Sequence, residues 1–180
     1  MKMNDTDIII ENDRLLLRKP RNTDLKILTA MRNDEKLYRY EPSFLAERGG
    51  TPEEALELIR GMNLAKDRQC ILGIYEISNP DVLVGLAELY DYKASGKVIS
   101  IGCRLRPEYW GRGIGTSCVN ALLEFLKNST DVETVTAHVM PDNKSSSHLL
   151  TESGFKYSHT VTEDWGGDNP TVADVFTFDL

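Results

Sequence analysis

The stretch Arg106-Pro107-Glu108-Tyr109-Trp110-Gly111-Arg112-Gly113-Ile114-Gly115-Thr116 holds the most distinctive chemistry of the chain. Glycines at alternate positions 111, 113 and 115 remove side chains where a run with helical spacing begins. The first amides of a helix lack partners within it and carry partial positive charge, so a glycine-lined helix start binds phosphate through backbone alone. Arg112 adds a full charge and Thr116 a hydroxyl. A diphosphate suits such a turn; for one glycine alone, a tight turn at positive φ would be the plainer reading. A nucleotidase-type phosphate loop would end in Gly-Lys-Ser/Thr, which is missing here. A dinucleotide fingerprint needs G-x-G-x-x-G, whereas the glycines here are spaced G-x-G-x-G.

The elements around this turn follow from pattern. Residues 1–13 are polar, a frayed or edge segment, and 15–18 read as a short strand. Thr23-Asp24 opens a helix carrying Leu25, Leu28 and Met31, ended by Asn33-Asp34. Thr51-Pro52-Glu53-Glu54 opens another, with a capping Thr, Pro at the first position and acids in the first turn. Ala55, Leu58, Ile59 and Met62 give it one apolar stripe, and it is expected to run to residue 66. Strands are expected at 69–77, 82–92 and 97–105, an antiparallel meander whose first turn is Ser78-Asn79-Pro80-Asp81. A long helix at 113–128 buries Ile114, Cys118, Leu122 and Leu126. A strand at 134–139, a helix at 143–153 and strands at 155–162 and 171–180 complete the chain, which implies some parallel pairing. The expected architecture is a single α/β (α+β) domain over 1–180.

Composition narrows the function. The 180 residues carry 21 Lys and Arg against 28 Asp and Glu, a net charge of −7, which argues against a general nucleic-acid binder. No apolar run reaches membrane-spanning length, and Ile8-Ile9-Ile10 is too short for a signal core. Three scattered cysteines, Cys70, Cys103 and Cys118, make no disulfide framework, so a cytoplasmic setting is expected. His138, His148 and His159 lack metal-ligand spacing, so no metal is expected.

Residues 109–116 resemble the acetyl-CoA loop of the GNAT N-acetyltransferases, Gln/Arg-x-x-Gly-x-Gly/Ala, with its last two glycines at Gly113 and Gly115. Trp110 replaces the first residue, as in the branch resembling the RimJ/RimL ribosomal-protein alanine acetyltransferases. Residues 143–155, Asn143-Lys144-Ser145-Ser146 through Gly154-Phe155, resemble that branch's Asn-x-x-Ser…Gly-Phe helix, and 33–40 its early segment. The resemblance implies a splayed sheet of about seven strands, with acetyl-CoA between parted strands. It implies backbone groups of the strand Ile101, Cys103 and Leu105 along the pantetheine, and amides of Arg112, Gly113, Ile114, Gly115 and Thr116 on the pyrophosphate. Cys103 could wall that channel or simply fill core. Asn143 could bind the cofactor, cap its helix, or do both. Ser146 could face the cofactor sulfur or be an ordinary first-turn serine.

The implied reaction is direct attack by an amine on the thioester, so the ammonium must lose a proton and the thiolate gain one. The family's usual acid-base positions hold Ser100 and Leu150 here, which keeps open a non-catalytic CoA or acyl-CoA binding module. Glu88 is the first candidate base, a carboxylate on a strand face with Val84, Leu86 and Tyr90; a salt bridge or surface position is its alternative. His138 is a second candidate base, or a structural histidine. The acceptor would be a peptide or protein N-terminus, a small amine, or an amino sugar as in aminoglycoside acetyltransferases. The chain would be monomer or homodimer. Tyr38, Tyr40, Phe44 and Trp165 could wall the acceptor site, and Glu35, Glu41, Glu47, Glu53, Glu54, Asp164 and Asp168 would attract a cation.

Overall fold

The computed structural model describes residues 8–40, 50–165 and 170–180. In chain order its elements are β1 (Ile10–Glu11), β2 (Leu15–Arg18), α1 (Leu25–Arg32), α2 (Glu35–Tyr38), α3 (Pro52–Gly61), α4 (Leu64–Asp67), β3 (Cys70–Glu76), β4 (Asn79–Lys93), β5 (Val98–Leu105), α5 (Ile114–Ser129), β6 (Thr134–Val139), α6 (Lys144–Glu152), β7 (Lys156–Glu163) and β8 (Thr171–Asp179). One sheet takes all eight strands in the order β1-β2-β3-β4-β5-β6-β8-β7. The expected seven strands are present, and the N-terminal edge segment supplies the eighth.

One sheet face packs on α5, whose Ile114, Cys118, Leu122 and Leu126 are fully buried against Ile99, Ile101 and Val135. The other face carries α1 and α3, with Leu28, Met31, Leu56 and Ile59 on Ile71, Tyr75, Leu83 and Leu86. Asp24 ties α1 down: its Oδ2 accepts from the Tyr75 hydroxyl at 2.7 Å and the Arg21 amide at 2.7 Å, while the Arg18 guanidinium lies 3.7 Å from the centre of the Tyr75 ring.

Three expectations need correction. The helix begun at Thr51 has the anticipated capping box, with Glu54 N–H donating to Thr51 Oγ1 at 3.2 Å and Thr51 N–H to Glu54 Oε2 at 2.8 Å. It stops at Gly61 instead of reaching 66, because Met62 turns to extended backbone (ψ 133°) and Lys19 Nζ bonds the carbonyls of Ile59 (2.8 Å) and Met62 (2.7 Å). Its buried stripe is Ala55, Leu56 and Ile59, and Leu58 is exposed. The β3–β4 turn is tighter than expected: Glu76 pairs with Asn79, so Ile77-Ser78 forms it and Pro80 lies in β4. Finally, Ile74 faces Gly85 while Tyr75 faces Leu83, so β4 carries an extra residue at Val84. This bulge moves Val84 to the Ala87–Leu89 side and leaves Leu86 and Glu88 on the α1/α3 side.

The feature that positions the site is the single parallel pairing. β5 and β6 match only at Val98–Thr134, Ile99–Val135 and Ser100–Thr136. Beyond that point β5 stays with β4 as far as Leu105–Gly85, and β6 stays with β8 as far as Val139–Asp174. The sheet therefore opens in a V, closed at its base by Ser100 Oγ and Thr136 Oγ1 at 2.8 Å.

Candidate active site

The V is the floor of a cleft of ≈ 1360 Å³. That exceeds the roughly 300–1,000 Å³ of a typical single-ligand pocket, so there is room for a long cofactor arm and a second substrate. Ile101, Cys103 and Leu105 lie along its β5 edge, where the backbone has lost its β6 partner and its polar groups are open to a ligand. Cys103 also packs against Cys118; that contact and burial both push the Cys118 thiol up, which suits an inert core thiol.

The loop after β5 turns over the open end. Trp110, in place of the family's Gln or Arg, is half exposed, and its Nε1 donates to the Leu105 carbonyl at 2.7 Å, tying the loop to the strand end. Gly111 (φ 70°) and Gly113 (φ 73°) take left-handed backbone that a side chain would strain. Gly113 stands at the N-cap of α5, and no side chain caps that end. The amides of Ile114, Gly115 and Thr116 are thus open to an anion, and all three residues line the cleft. Gly115 does something the glycine spacing did not disclose: a Cβ there would meet Leu149 Cδ1 at 2.6 Å, so its bareness lets α6 close on α5. The Arg112 guanidinium lies 5.3 Å from the Tyr109 ring centre and is not part of the cleft wall. A cation that sequence reasoning missed stands at the helix start: Arg14 Nη1 is 3.4 Å from the Cβ position of Gly113.

At the start of α6, Asn143 Oδ1 accepts the Ser146 amide at 3.2 Å, so Asn143 caps the helix while also lining the cleft. The Ser146 side chain borders the cleft too and makes no hydrogen bond of its own among the described residues. Leu150 is buried in the α5-side core.

The opposite side of the V is polar. Beyond the bulge, even-numbered positions of β4, with those of β5 and β6, face the α1/α3 side. Arg104 Nη1 donates to Glu88 Oε1 at 2.9 Å, with both side chains nearly buried. A Cβ on Gly102 would stand 3.7 Å from Glu88 Oε2, so the glycine keeps that oxygen's surroundings open. Across the V, His138 Nδ1 lies 2.8 Å from Glu163 Oε2, and Trp165 Nε1 donates to the same oxygen at 3.0 Å. Burial pushes the Glu163 carboxyl up, but the bonds from Trp165 and His138 and the charges of His138 and Lys93 outweigh it and leave it below its ordinary value. Tyr40 and Asp164 line the same end. Phe44, Glu41, Glu47 and Asp168 lie outside the described residues. Among the described residues no cluster of ligating side chains could hold a metal, and no helix is long and apolar enough to cross a membrane.

Comparison with known proteins matches residues 14–156 to the acetyltransferase (GNAT) domain. The chain belongs to the GNAT family. It is an acetyltransferase that uses acetyl-CoA, as the loop resemblance implied. It is 24% identical over 149 residues to the uncharacterised N-acetyltransferase YoaA of Bacillus subtilis strain 168, covering 82% of each chain. Its fold matches spermidine N-acetyltransferase from Vibrio cholerae, solved with CoA and spermine (TM-score 0.74, 19% identity, 93% of this chain and 96% of that one). It also matches the ribosomal L7/L12 α-N-protein acetyltransferase RimL, solved with coenzyme A (TM-score 0.77, 16% identity, 96% and 98%). The mixed sheet and its flanking helices are the fold shared with these structures.

Proposed function

We propose that the protein acetylates a primary amine, a peptide or protein N-terminus or a small polyamine-like molecule, by direct attack on acetyl-CoA. The observation that carries this is the parting of β5 from β6 beside an uncapped, glycine-shaped helix start, with an ion-paired carboxylate and an oriented imidazole on the facing side. Bound acetyl-CoA would supply the activated acetyl group. The open edge of Ile101, Cys103 and Leu105 would bond its pantetheine amides, and the backbone of Arg112, Gly113, Ile114, Gly115 and Thr116 its pyrophosphate. Asn143 would fix the start of α6 so that the Ser146 hydroxyl meets the departing sulfur. Glu88, steadied by Arg104, would receive the incoming ammonium. The relatives named for spermidine and for a ribosomal-protein N-terminus both act on amines, which supports the acceptor class without choosing within it. Three free thiols fit work in the reducing cytoplasm.

Calorimetric titration with acetyl-CoA, with NAD and ATP as controls, tests the donor half. A screen of N-terminal peptides, spermidine and amino sugars tests the acceptor half. Binding of acetyl-CoA alone with turnover of one amine class is the expected result. Binding without turnover of any amine would favour a non-catalytic CoA-binding module.

A further inference from the structure

An ammonium has no lone pair, so some group must take its proton before attack; the following rests on the amine-acetylation reading above. Glu88 Oε1 is taken by Arg104, so any hold of Glu88 on a cation falls to Oε2, which faces Gly102. We infer that His138 is the base that takes this proton, and that Glu163 is the residue that positions it. β8 lies between β6 and β7, with Val175 opposite His138 and Thr171, four residues back along β8, opposite Glu163; the two side chains, 25 residues apart in sequence, nevertheless meet at 2.8 Å over that strand. An ionised Glu163 can only accept, so Nδ1 of the neutral ring must carry the hydrogen. Nε2 then keeps its lone pair. The ring lines the cleft with 16% of its side chain exposed, and it makes no other hydrogen bond among the described residues. Trp165 holds the same carboxylate oxygen from a second direction, so the carboxylate that orients the ring is itself fixed. A nitrogen base oriented by a third group is the general logic of activated nucleophiles.

The docked ammonium gives one proton to His138 Nε2 and regains its lone pair. That pair forms the N–C bond at the thioester carbonyl, and the C–S pair leaves with sulfur. The second N–H proton passes to the thiolate along the Ser146 hydroxyl, giving amide and thiol. The imidazolium then releases its proton to water. From β7, Glu163 meets His138 directly and titratable His159 stands opposite Val175, the residue that faces His138; Lys93 at the end of β4 acts on Glu163, and Asp164 lines the cleft. From β8 the facing residue is apolar Val175, and Asp174 bonds Thr160 instead.

Two measurements on the intact protein test this. Histidine ¹⁵N spectra, with His138→Gln for assignment, should show neutral His138 with Nδ1 protonated and Nε2 bare, a preference lost in Glu163→Gln. An Nε2–H form in the wild type would overturn the inference whether or not an acceptor is in hand. In turnover of acetyl-CoA with spermidine or the active peptide, His138→Gln should lower kcat/KM about 100-fold at neutral pH, the scale of general-base catalysis. Its acetyl-CoA affinity should be unchanged, and the ascending limb of the pH profile should vanish. Glu163→Gln should cost about tenfold with acetyl-CoA affinity unchanged. A His138→Gln enzyme within twofold of wild type, or a limb abolished by Glu88→Gln instead, would sink the assignment. Failure of the wild type to bind acetyl-CoA would count against the acetyltransfer reading itself, not against the tautomer.

Discussion

The two sides of the parted strands are made of different material. Toward α5 and α6 the site is backbone: the unpaired edge of β5, two glycines at positive φ and an uncapped helix start, set among apolar Ile101, Leu105, Ala137 and Val139. Toward α1 and α3 it is side chains: Glu88 with Arg104, Ser100 with Thr136, and His138 with Glu163 and Trp165. A backbone site recognises amides and phosphates through chain conformation, so it tolerates change at most side chains and fails only when the conformation fails. A site of paired side chains can be retuned one residue at a time. On the proposed function, the difference would leave donor binding to the fold and acceptor choice to a handful of polar residues.

The sharpest way to break the donor side is Gly113→Glu. It puts a Cβ into left-handed backbone, at a cost of about 1–2 kcal/mol, and sets a carboxylate where an anion should bind. Acetyl-CoA affinity should fall by more than about 100-fold, or about 2.8 kcal/mol at ~1.4 kcal/mol per tenfold, by calorimetry on protein shown folded by circular dichroism. Gly113→Ala carries the strain without the charge and should lose far less. Affinity unchanged in Gly113→Glu would remove the loop from the donor site.

On the acceptor side, Glu88→Gln keeps the shape and removes the charge that meets the ammonium. It should lower kcat/KM by roughly 10–30-fold, chiefly through the acceptor KM, with acetyl-CoA affinity intact. A parallel loss of acetyl-CoA affinity would abolish the distinction between the two sides. Ser146→Ala sits where they meet. Its hydroxyl has no partner to lose among the described residues, while Asn143 caps through the Ser146 backbone, so stability should hold and kcat should fall by about tenfold. A fall in Tm with kcat preserved would make Ser146 a helix residue only.

The donor side was legible in the sequence because its signals are local. Ile114, Cys118, Leu122 and Leu126 repeat at helical spacing, the glycines precede them directly, and Asn143 stands three residues before the amide it caps. The acceptor side was not, because its partners are set by sheet order. His138 reaches Glu163 only once β8 has entered between β6 and β7, and on the donor side Arg14 reaches Gly113 only once the N-terminal strands have joined the sheet. Glu88 was assigned correctly to the face of Leu86, yet Val84 was not, since strict alternation cannot anticipate the extra residue. The packing role of Gly115 was not legible for the same reason: its neighbour Leu149 is 34 residues away and packs through tertiary structure.

The smallest expected effect probes how tightly the acceptor side is held together. The Glu163 carboxyl lies below its ordinary value, so ionised Glu163 stabilises the folded chain. The sign follows from linkage: a lowered folded value means stability that is fully present above the unfolded value, about 4.3, and lost as pH falls through the folded one. Wild type and Glu163→Gln should therefore differ in Tm between about pH 5 and 8, begin to converge below about pH 4, and meet only once pH lies below the lowered folded value, where both carry a neutral side chain at this position. Because the carboxylate is about one-third exposed, the offset should be small and should shrink in high salt. Convergence identifies the His138–Glu163–Trp165 contacts as the source. A Tm offset that persists unchanged to pH 3 would mean that Gln at 163 disturbs the packing of β7, and that the carboxylate's bonds contribute nothing to holding the imidazole in place.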